Sequence, residues 1–487
     1  MTIDKLYLWA QTLPAKEQIM QSRKLAKTLK GLKKSGYVSV SVRDEIRNNL
    51  ITRMRNKEEL FPGMVGYDNS VIPQVENAIL AGQDIIFLGE RGQGKSRLIR
   101  YLVGLLDESI PYVQDCEIHD DPYNPICSSC KDKSNQYGES LPISWLSRED
   151  RYSEKLATPD ISVADLIGEI DPIKVAEGRY LSDELTIHYG LIPRTNRGIF
   201  AINELPDLSE RIQVSLFNLM EERDIQIKGY RIRLPIDVYL IASANPEDYT
   251  NRGRIITPLK DRYGSQIRTH YPVHTDQEVA IMEQEMHVFP DLSDKLIVPK
   301  FMKDIIAEVT MSARDSGDIN QRSGVSVRVS IANYESVLSS AYKRSIKLDE
   351  DLASPRISDL SALIPSTIGK IELEALDEGQ DIKIMEDLIK KSVLRVFNEY
   401  FKTDEELDEL VSQFEEGFTF EASHSHPSSI YLNELKRIKP FEDAISKFAE
   451  SSTPATQASC IEFLLEGLHL RRRLNKDQLN NGVKYKI

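Results

Sequence analysis

The amino-acid sequence predicts an α/β fold in which a parallel sheet is sandwiched by helices, with helical extensions before and after it. From about Phe61 to Pro272, short apolar strands alternate with helical segments, which is the pattern of α/β proteins. The runs "IIFL" (85–88) and "YLIA" (239–242) are continuously apolar, as expected for strands with both faces buried. Beyond residue 273 the apolar residues recur at helical spacing, for example in 382–401.

Composition narrows the classes of function. The chain has 487 residues, enough for two to four domains of about 150 residues each. Its 40% hydrophobic and 28% charged residues are typical of globular proteins. No apolar run approaches the roughly 18 residues that cross a bilayer, the N-terminus has no secretion signal, and four cysteines are too few for a disulfide framework. We therefore expect a cytoplasmic protein without membrane contact.

The net charge of −14 is unevenly distributed. Residues 1–60 carry 13 Lys or Arg against 6 Asp or Glu, a net of +7, so the remainder carries −21. A mainly acidic chain is a poor non-specific binder of nucleic acid. For residues 1–60 we predict a basic helical extension, in which a second helix begins after Ser41 as its N-cap.

Apolar runs between residues 61 and 275 predict the strands of one α/β domain. The strand candidates are 84–89, 110–114, 198–203, 238–244 and 265–271. The alternating segment 224–234, around Lys228-Gly229, predicts a β-hairpin. Residues 276–350 and 351–487 predict two helical regions.

The segment "GERGQGKS" (89–96) fits the pattern G-x-x-x-x-G-K-[ST] between an apolar strand and a helical stretch. In this context the glycines let backbone N–H groups face phosphate oxygens at a helix N-terminus. Lys95 is expected to pair with the β- and γ-phosphates, and Ser96 to hold Mg²⁺. The predicted nucleotide-binding residues are Gly89, Glu90, Arg91, Gly92, Gln93, Gly94, Lys95, Ser96 and Arg97.

Polar residues at later strand ends extend this site. Glu204 follows the strand 198–203 and is expected to orient the attacking water. Asn245 follows the strand 238–244, where its amide can hold that water or the γ-phosphate. Arg262 and Arg328, each considered alone, are ordinary surface arginines, and they become site candidates through their order after the phosphate loop.

Cys116, His119, Cys127 and Cys130 form the pattern C-x₂-H-x₇-C-x₂-C in a Cys-rich insertion at about 115–135. Four soft ligands at this spacing suit tetrahedral Zn²⁺, and a closed set of four is structural rather than catalytic. Two alternatives stay open, namely reduced inert thiols and a redox pair.

Taken in order, these motifs resemble those of the AAA+ ATPases, specifically the branch of MoxR-type ATPases and magnesium-chelatase ATPase subunits (subunit I-like). The resemblance covers roughly residues 61–340. "MVGYDNSV" (64–71) resembles the adenine-side motif, with Gly66 near the base, and "GERGQGKS" resembles Walker A. "GIFAINE" (198–204) resembles Walker B, with Asn203 in place of the usual Asp. The stretch 166–200 is similar to the family's helix-2 insertion, and 224–234 to its hairpin before sensor 1.

The resemblance implies an AAA+ P-loop NTPase core with a helical lid at 276–350. It implies that Asn245 is sensor 1, Arg262 an arginine finger reaching a neighbouring subunit, and Arg328 sensor 2. It also implies a homo-oligomeric ring, usually a hexamer, that binds ATP and Mg²⁺ and acts on a client, often a separate protein with a von Willebrand factor A domain. Asn203 is expected to hold Mg²⁺ through a water, and more weakly than Asp because it adds no negative charge.

The leading interpretation is a Mg²⁺-dependent ATPase that forms an oligomeric ring and remodels or activates a partner protein. Three alternatives stay open: the ATPase subunit of a tetrapyrrole metal chelatase, a non-hydrolysing ATP-gated scaffold, and an enhancer-binding transcription activator. The G-A-F-T-G-A loop typical of such activators does not occur in the sequence.

Overall fold

The computed structural model describes residues 25–171, 186–226, 233–245, 253–287, 289–290, 292, 294–320, 324–373 and 380–487. Three predicted features therefore lie wholly or partly outside the described residues: the start of the N-terminal extension (1–24), part of the helix-2 insertion (172–185), and the hairpin turn at Lys228-Gly229. The chain divides into two units, Met1–His270 and Tyr271–Ile487.

The first unit alternates strands and helices along the chain. Its described strands are β1 (Ile85–Leu88), β2 (Ser109–Val113), β3 (Ile143–Ser147), β4 (Tyr152–Leu156), β5 (Gly168–Ile170), β6 (Ile187–Tyr189), β7 (Gly198–Asn203), β8 (Asp224–Gln226), β9 (Arg233–Pro235), β10 (Val238–Ala244) and β11 (Ser265–Arg268). Its described helices are α1 (Leu29–Ser35), α2 (Val42–Asn56), α3 (Val71–Leu80), α4 (Lys95–Val103), α5 (Ser128–Tyr137), α6 (Val163–Leu166), α7 (Leu191–Arg194), α8 (Glu210–Glu221) and α9 (Thr257–Arg262).

Five of these strands form a parallel sheet in the order β11-β1-β10-β7-β4. Successive side chains of a strand point to opposite faces, and both faces of this sheet are covered. Ile86 and Phe200 pack into one hydrophobic core, whereas Ile85 and Ile199 pack into another. All six residues of β7 are buried, which explains the continuous apolar runs in the sequence. The predicted parallel sheet sandwiched by helices is confirmed.

One predicted strand lies outside this sheet. The strand predicted at 110–114 is β2, and it pairs antiparallel with β3. The edge of the parallel sheet is instead formed by β4, which pairs with β7. β4 has the sequence "YSEKL" and is only partly buried, because an edge strand has a neighbour on one side only. Its polar composition explains why the apolar pattern did not reveal it.

Helix α2 begins as predicted, with the Ser41 side chain accepting a hydrogen bond from the Asp44 backbone N–H. Val42 and Leu50 of α2 pack into the same core as Ile85. The helix is therefore part of the α/β core rather than a separate extension.

A buried ion pair also fixes α2. Glu45 is 5% exposed and Arg151, just before β4, is 1% exposed. Two guanidinium nitrogens of Arg151 contact the two carboxylate oxygens of Glu45 at 2.6 and 2.5 Å. Arg151 Nε also donates to the Arg197 carbonyl oxygen at 2.9 Å, directly before β7. Paired buried charges with this geometry join α2 to the two neighbouring strands β4 and β7.

The second unit is mainly helical, as predicted. Its described helices are α10 (Thr275–Glu285), α11 (Lys300–Asp315), α12 (Val327–Leu348), α13 (Leu363–Thr367), α14 (Gln380–Tyr400), α15 (Asp408–Glu415), α16 (Ser428–Arg437), α17 (Lys439–Ser446) and α18 (Pro454–Leu470). One hydrophobic core extends along the chain from Met282 to Tyr485. The two helical regions predicted at 276–350 and 351–487 therefore share a core.

The C-terminal region is not entirely helical, which corrects the sequence prediction. β12 (Phe420–Ala422), β13 (Asn475–Leu479) and β14 (Gly482–Lys486) form an antiparallel sheet in the order β12-β14-β13. Leu479 pairs with Gly482, so Asn480-Asn481 is a two-residue hairpin loop of the residue type that such turns favour. Within the described ranges, no helix has the length and apolarity needed to cross a membrane.

Candidate nucleotide site

Segment 89–96 forms a tight loop between β1 and α4. Gly92 and Gly94 have φ angles of 78° and 74°, in the left-handed region that favours glycine. A Cβ atom on Gly89 would lie 1.9 Å from Thr269 Oγ1 and 2.2 Å from Gln93 Oε1. The loop backbone therefore adopts a conformation and fills a space that require glycine, as in a phosphate cradle ahead of a helix.

Lys95 is the first residue of α4 and is 7% exposed. Its ammonium group donates to the carbonyl oxygens of Gly89 and Glu90, at 2.8 Å to Glu90. Both acceptors belong to the loop, so the positive charge is held within the cradle. Ser96 follows as the second residue of the helix.

The predicted set contains two arginines, of which Arg91 lies within the loop and Arg97 directly follows it. Arg91 is exposed. The Arg97 guanidinium lies over the Tyr101 ring, at 5.9 Å from the ring centroid.

Gln93 links the loop by hydrogen bonds to residues outside it. Its side-chain oxygen accepts from the Glu90 backbone N–H at 3.0 Å and from the Thr269 hydroxyl at 2.7 Å. The Tyr67 hydroxyl lies 2.7 Å from the Gln93 carbonyl oxygen and 2.9 Å from that of His270. Burial raises the pKa of Tyr67 to about 12, so this hydroxyl keeps its proton and serves as a donor at neutral pH.

The predicted adenine-side segment, 64–71, touches the loop at a second point. The Met64 Cε atom lies 3.1 Å from the position that a Cβ atom on Gly94 would take. Gly66 has a φ of 80° and turns the chain before Tyr67. The structure therefore places this segment against the phosphate loop.

Three neighbouring strands end at one edge of the sheet, and a candidate site residue or loop follows each of them. β1, β10 and β7 are adjacent and parallel, and segment 89–96, Asn245 and Glu204 follow them in that order. The carboxyl ends of adjacent parallel strands lie at the same edge, where such sheets bind ligands. Asn245 is 1% exposed.

Glu204 occupies an unusual backbone conformation. Its φ and ψ are 55° and 49°, the left-handed region that few residues other than glycine adopt and that is frequent at functional sites. The Glu204 backbone N–H donates to Ser243 Oγ at 3.3 Å. The chain thus turns sharply at the end of β7, directly after the buried Asn203.

Asn203 is 8% exposed and both ends of its amide are used. Its Oδ1 accepts from the Ser243 hydroxyl at 3.1 Å, and its Nδ2 donates to the Glu154 carboxylate of β4. An Asp at this position would offer no N–H to Glu154, and two carboxylates would face each other. The amide at position 203 therefore fits the acid on the neighbouring strand.

The Glu154 carboxylate also accepts hydrogen bonds from Arg100 and Tyr152. Arg100 Nε donates to it at 3.1 Å and the Tyr152 hydroxyl at 2.8 Å. Burial alone would raise the pKa of Glu154, but the hydrogen bonds from Arg100, Tyr152 and Asn203 outweigh burial and hold the pKa below its usual value. Glu154 is therefore ionised at neutral pH and places a negative charge beside Asn203.

The two candidate trans-acting or lid arginines have different surroundings. Arg262, the last residue of α9, donates through Nε to Glu221 of α8 at 3.1 Å and stacks on Phe217 at 4.8 Å. Arg328 lies in the first turn of α12, in the second unit, with an exposed side chain.

The predicted cysteine and histidine ligands are only partly brought together. Cys116, Cys127 and Cys130 cluster with Asp120, and their possible ligand atoms all lie within 4.8 Å of one another. His119 is not in this group, because its Nδ1 lies 2.9 Å from the Arg194 carbonyl oxygen and its ring stands edge-on to Tyr112. The structure thus gathers Asp120, and not His119, with the three cysteines.

Sequence reasoning missed Glu154, Thr269 and Asp120. Glu154 lies on the polar edge strand that the apolar pattern did not reveal. Thr269 directly follows β11 and its role depends on strand order, which one sequence does not show. Asp120 had a visible signal, since it is an acidic residue between cysteine pairs and next to His119.

The cradle fits a nucleoside triphosphate with Mg²⁺. The loop excludes side chains at Gly89, holds the Lys95 ammonium inside, and begins a nine-residue helix. Ser96 and the Asn203–Glu154 pair offer neutral and anionic oxygen atoms, the donor type that Mg²⁺ prefers.

Comparison with known proteins adds a partial match to this geometry. Residues 177–259 match a family described as the Sigma-54 interaction domain. This stretch contains Glu204 and Asn245 but not the phosphate loop.

Curated relatives match a longer part of the chain. Magnesium-chelatase subunit ChlI of Nostoc sp. is 29% identical over 233 residues, which are 46% of this chain and 56% of the relative. Magnesium-chelatase subunit ChlI of Anabaena variabilis is 30% identical over 206 residues, 41% of this chain and 55% of the relative. The chain thus spans little more than half the length of each of these relatives.

Among solved structures, a chain in the complex between subunits BchI and BchD of magnesium chelatase is 18% identical to this chain, with a TM-score of 0.34. The match covers 68% of this chain and 99% of that chain. A TM-score this low does not establish a common arrangement of the whole chains.

Proposed function

We propose that this protein is a Mg²⁺-dependent ATPase of the AAA+ type that acts on a partner protein. The observation that carries the proposal is the edge of the sheet at which β1, β10 and β7 end side by side. These strands lead into a glycine-dependent loop with a buried Lys95, into Asn245, and into Glu204. The combination supplies a phosphate cradle and polar groups for a reacting water in one place.

Each residue has a distinct task in this reaction. Lys95 and the loop N–H groups would hold the β- and γ-phosphates, and Ser96 would hold Mg²⁺, which neutralises phosphate charge. Glu204 would accept a proton from the attacking water and fix its direction. Asn245 would hold that water or the γ-phosphate in line for attack.

Asn203 does not have to abolish hydrolysis. The negative charge that an Asp would place near Mg²⁺ is present on Glu154, whose carboxylate accepts from the Asn203 amide. We propose that Asn203 and Glu154 act together as the acidic element of the site. Arg100, with a half-exposed side chain, reduces this charge only partly because water screens its contact.

An oligomer would complete the site. Arg262 is the candidate finger, and its contact with Glu221 is a partly exposed ion pair, with side-chain exposures of 27% and 58%. Such pairs contribute about 0–1 kcal/mol, so the Glu221 contact by itself holds Arg262 only weakly.

A second candidate function is the ATPase subunit of a metal chelatase for a tetrapyrrole. The names of the curated relatives favour it. The test is to add a large chelatase subunit to this protein. Faster ATP turnover together with insertion of Mg²⁺ into a porphyrin would distinguish this function from that of a general remodelling ATPase.

The test is phosphate release from ATP with Mg²⁺ over a range of chain concentrations. We expect turnover per chain to rise with concentration, and Glu204→Gln and Arg262→Ala each to lower it by about 100-fold or more, the effect of removing a base or a charge-stabilising group. Glu434→Gln and Arg437→Ala, which change one exposed pair on α16, serve as matched controls.

Tight ATP binding without phosphate release would favour the non-hydrolysing scaffold. A failure to bind ATP at all, in a folded chain, would overturn the proposal.

A further inference from the structure

The segment between β2 and α5 gathers three cysteines and one aspartate in the interior. Cys116, Cys127, Cys130 and Asp120 are 8%, 6%, 1% and 0% exposed. Their possible ligand atoms lie within 4.8 Å of one another. Three thiols and one carboxylate this close, and this deeply buried, form a compact group of metal-ligand type.

The Asp120 carboxylate gives a second, independent indication of a cation site. Its Oδ2 accepts from the backbone N–H groups of Ile126 at 3.0 Å and Cys127 at 2.9 Å. Its Oδ1 is buried and has no hydrogen-bond partner among the described residues. An unsatisfied buried carboxylate oxygen is costly, and a cation among the three sulfur atoms would satisfy it.

Two of the cysteine sulfur atoms accept backbone hydrogen bonds. The Asp120 N–H points to Cys116 Sγ at 3.3 Å, and the Cys130 N–H points to Cys127 Sγ at 3.3 Å. Cys127 is the N-cap of α5, a ten-residue helix. Thiolate is the form in which cysteine binds a metal.

His119 is held away from the group by its own contacts. Its φ of 53° lies in the left-handed region, and its ring is fixed by the Arg194 carbonyl oxygen and by Tyr112. The turn that points His119 outward is the same turn that brings Asp120 inward.

We propose that Cys116, Asp120, Cys127 and Cys130 bind a structural Zn²⁺ ion. Three soft sulfur ligands and one oxygen suit tetrahedral zinc, and four protein ligands leave no open position for catalysis. The ion would fix the loop after β2 to the start of α5. This site is independent of the ATPase proposal, since none of its ligands belongs to the nucleotide site.

The test is metal analysis of the full chain, purified without a metal-affinity step. We expect about one zinc ion per chain in the native protein, and the same content in Lys95→Ala. Replacement of zinc by Co²⁺ should give the near-ultraviolet charge-transfer absorption of thiolate ligands. Less than about a tenth of an ion per chain, together with no such absorption on adding Co²⁺, would overturn the proposal.

Variants identify the ligands. Cys130→Ser and Asp120→Asn should lower zinc affinity by at least roughly tenfold, measured by competition with a chromogenic chelator. Cys460→Ser is the matched control, because Cys460 is also a buried cysteine but lies in α18. His119→Asn, which tolerates the left-handed backbone, should keep the zinc. This ligand set would be rejected if His119→Asn or Cys460→Ser lost zinc while Asp120→Asn kept it. If Cys130→Ser does not fold, the Co²⁺ spectrum of the native chain decides whether thiolates bind the metal.

Discussion

At the residue scale, the proposed role of the Asn203–Glu154 pair as the acidic element for Mg²⁺ can be tested. Glu154 is ionised and accepts a hydrogen bond from the Asn203 amide. Removing its charge with Glu154→Gln should raise the Mg²⁺ concentration needed for half-maximal ATP hydrolysis. We expect about a three- to tenfold rise, since a screened charge interaction of about 1 kcal/mol corresponds to this range.

A charge swap provides the control for that prediction. Asn203→Asp in the Glu154→Gln background returns one carboxylate to the pair, and should bring the Mg²⁺ requirement back toward the native value. Asn203→Asp alone sets two carboxylates against each other and should not improve on the native chain. If the swap leaves the requirement as high as Glu154→Gln does, Glu154 does not supply the acidic element.

The phosphate loop gives a second prediction at this scale. Gly89→Ala places a methyl group 1.9 Å from Thr269 Oγ1 and 2.2 Å from Gln93 Oε1, so it must break the contact by which Gln93 shapes the loop. We expect ATP affinity to fall by about tenfold or more, as for other lost hydrogen bonds and strained contacts of 1–3 kcal/mol. Fluorescent-nucleotide binding measures it.

Gly317→Ala is the matched control, because nothing lies within 4 Å of the added methyl group and the φ angle is not left-handed. Equal loss of nucleotide binding in both variants would mean that the effect is not local to the loop.

At the element scale, the apolar pattern predicted the buried strands β1, β7 and β10 and missed the polar edge strand β4. β7 and β10 are buried at every position, so their sequences carry an unambiguous signal. β4 is a polar edge strand, and β2 is apolar but pairs with β3. Strand order is a property of long-range pairing, which single-sequence periodicity does not encode.

The nucleotide loop was predictable because its conformation depends on a local run of glycines with fixed spacing. The role of Glu154 was not predictable, because it depends on a partner that the fold brings close. Asp120 had a local signal in its position next to His119, but its place among the three cysteines depends on the fold. The β13–β14 hairpin lies between these cases: its Asn480-Asn481 loop is a local signal, but its first strand, "NKDQL", is mainly polar.

Helix α2 supplies a prediction about the stability of the first unit. Glu45→Gln removes the charge that compensates the buried Arg151 guanidinium, and it should lower the free energy of unfolding by about 3–5 kcal/mol, the cost of an unpaired buried charge. Urea unfolding followed by tryptophan emission measures this, because Trp145 lies in β3 of the first unit.

Glu58→Gln tests the same kind of pair at the surface. Its contact with Arg53 is 3.9 Å long and partly exposed, so the change should be below about 1 kcal/mol. Similar losses in Glu45→Gln and Glu58→Gln would show that burial of the Arg151 pair is not what stabilises α2.

At the scale of the whole molecule, a site completed by a neighbouring subunit requires that Arg262 be free to leave its own. The Glu221 contact is partly exposed and contributes little. Glu221→Gln should therefore change ATP turnover by less than about threefold, whereas Arg262→Ala should nearly abolish it. A large gain of turnover in Glu221→Gln would instead identify the pair as an inhibitory contact.

Mixing two inactive variants tests the shared site directly. Glu204→Gln lacks the base and Arg262→Ala lacks the finger, so each should be inactive alone. In a mixed ring, an Arg262→Ala subunit keeps Glu204 and can receive the finger of a Glu204→Gln neighbour. Random assembly at equal amounts gives about a quarter of the interfaces both groups, and ATP turnover should recover to about that fraction. If mixing restores no turnover although the variants co-assemble, Arg262 acts within its own chain or not at all, and the interface-built ATPase is ruled out.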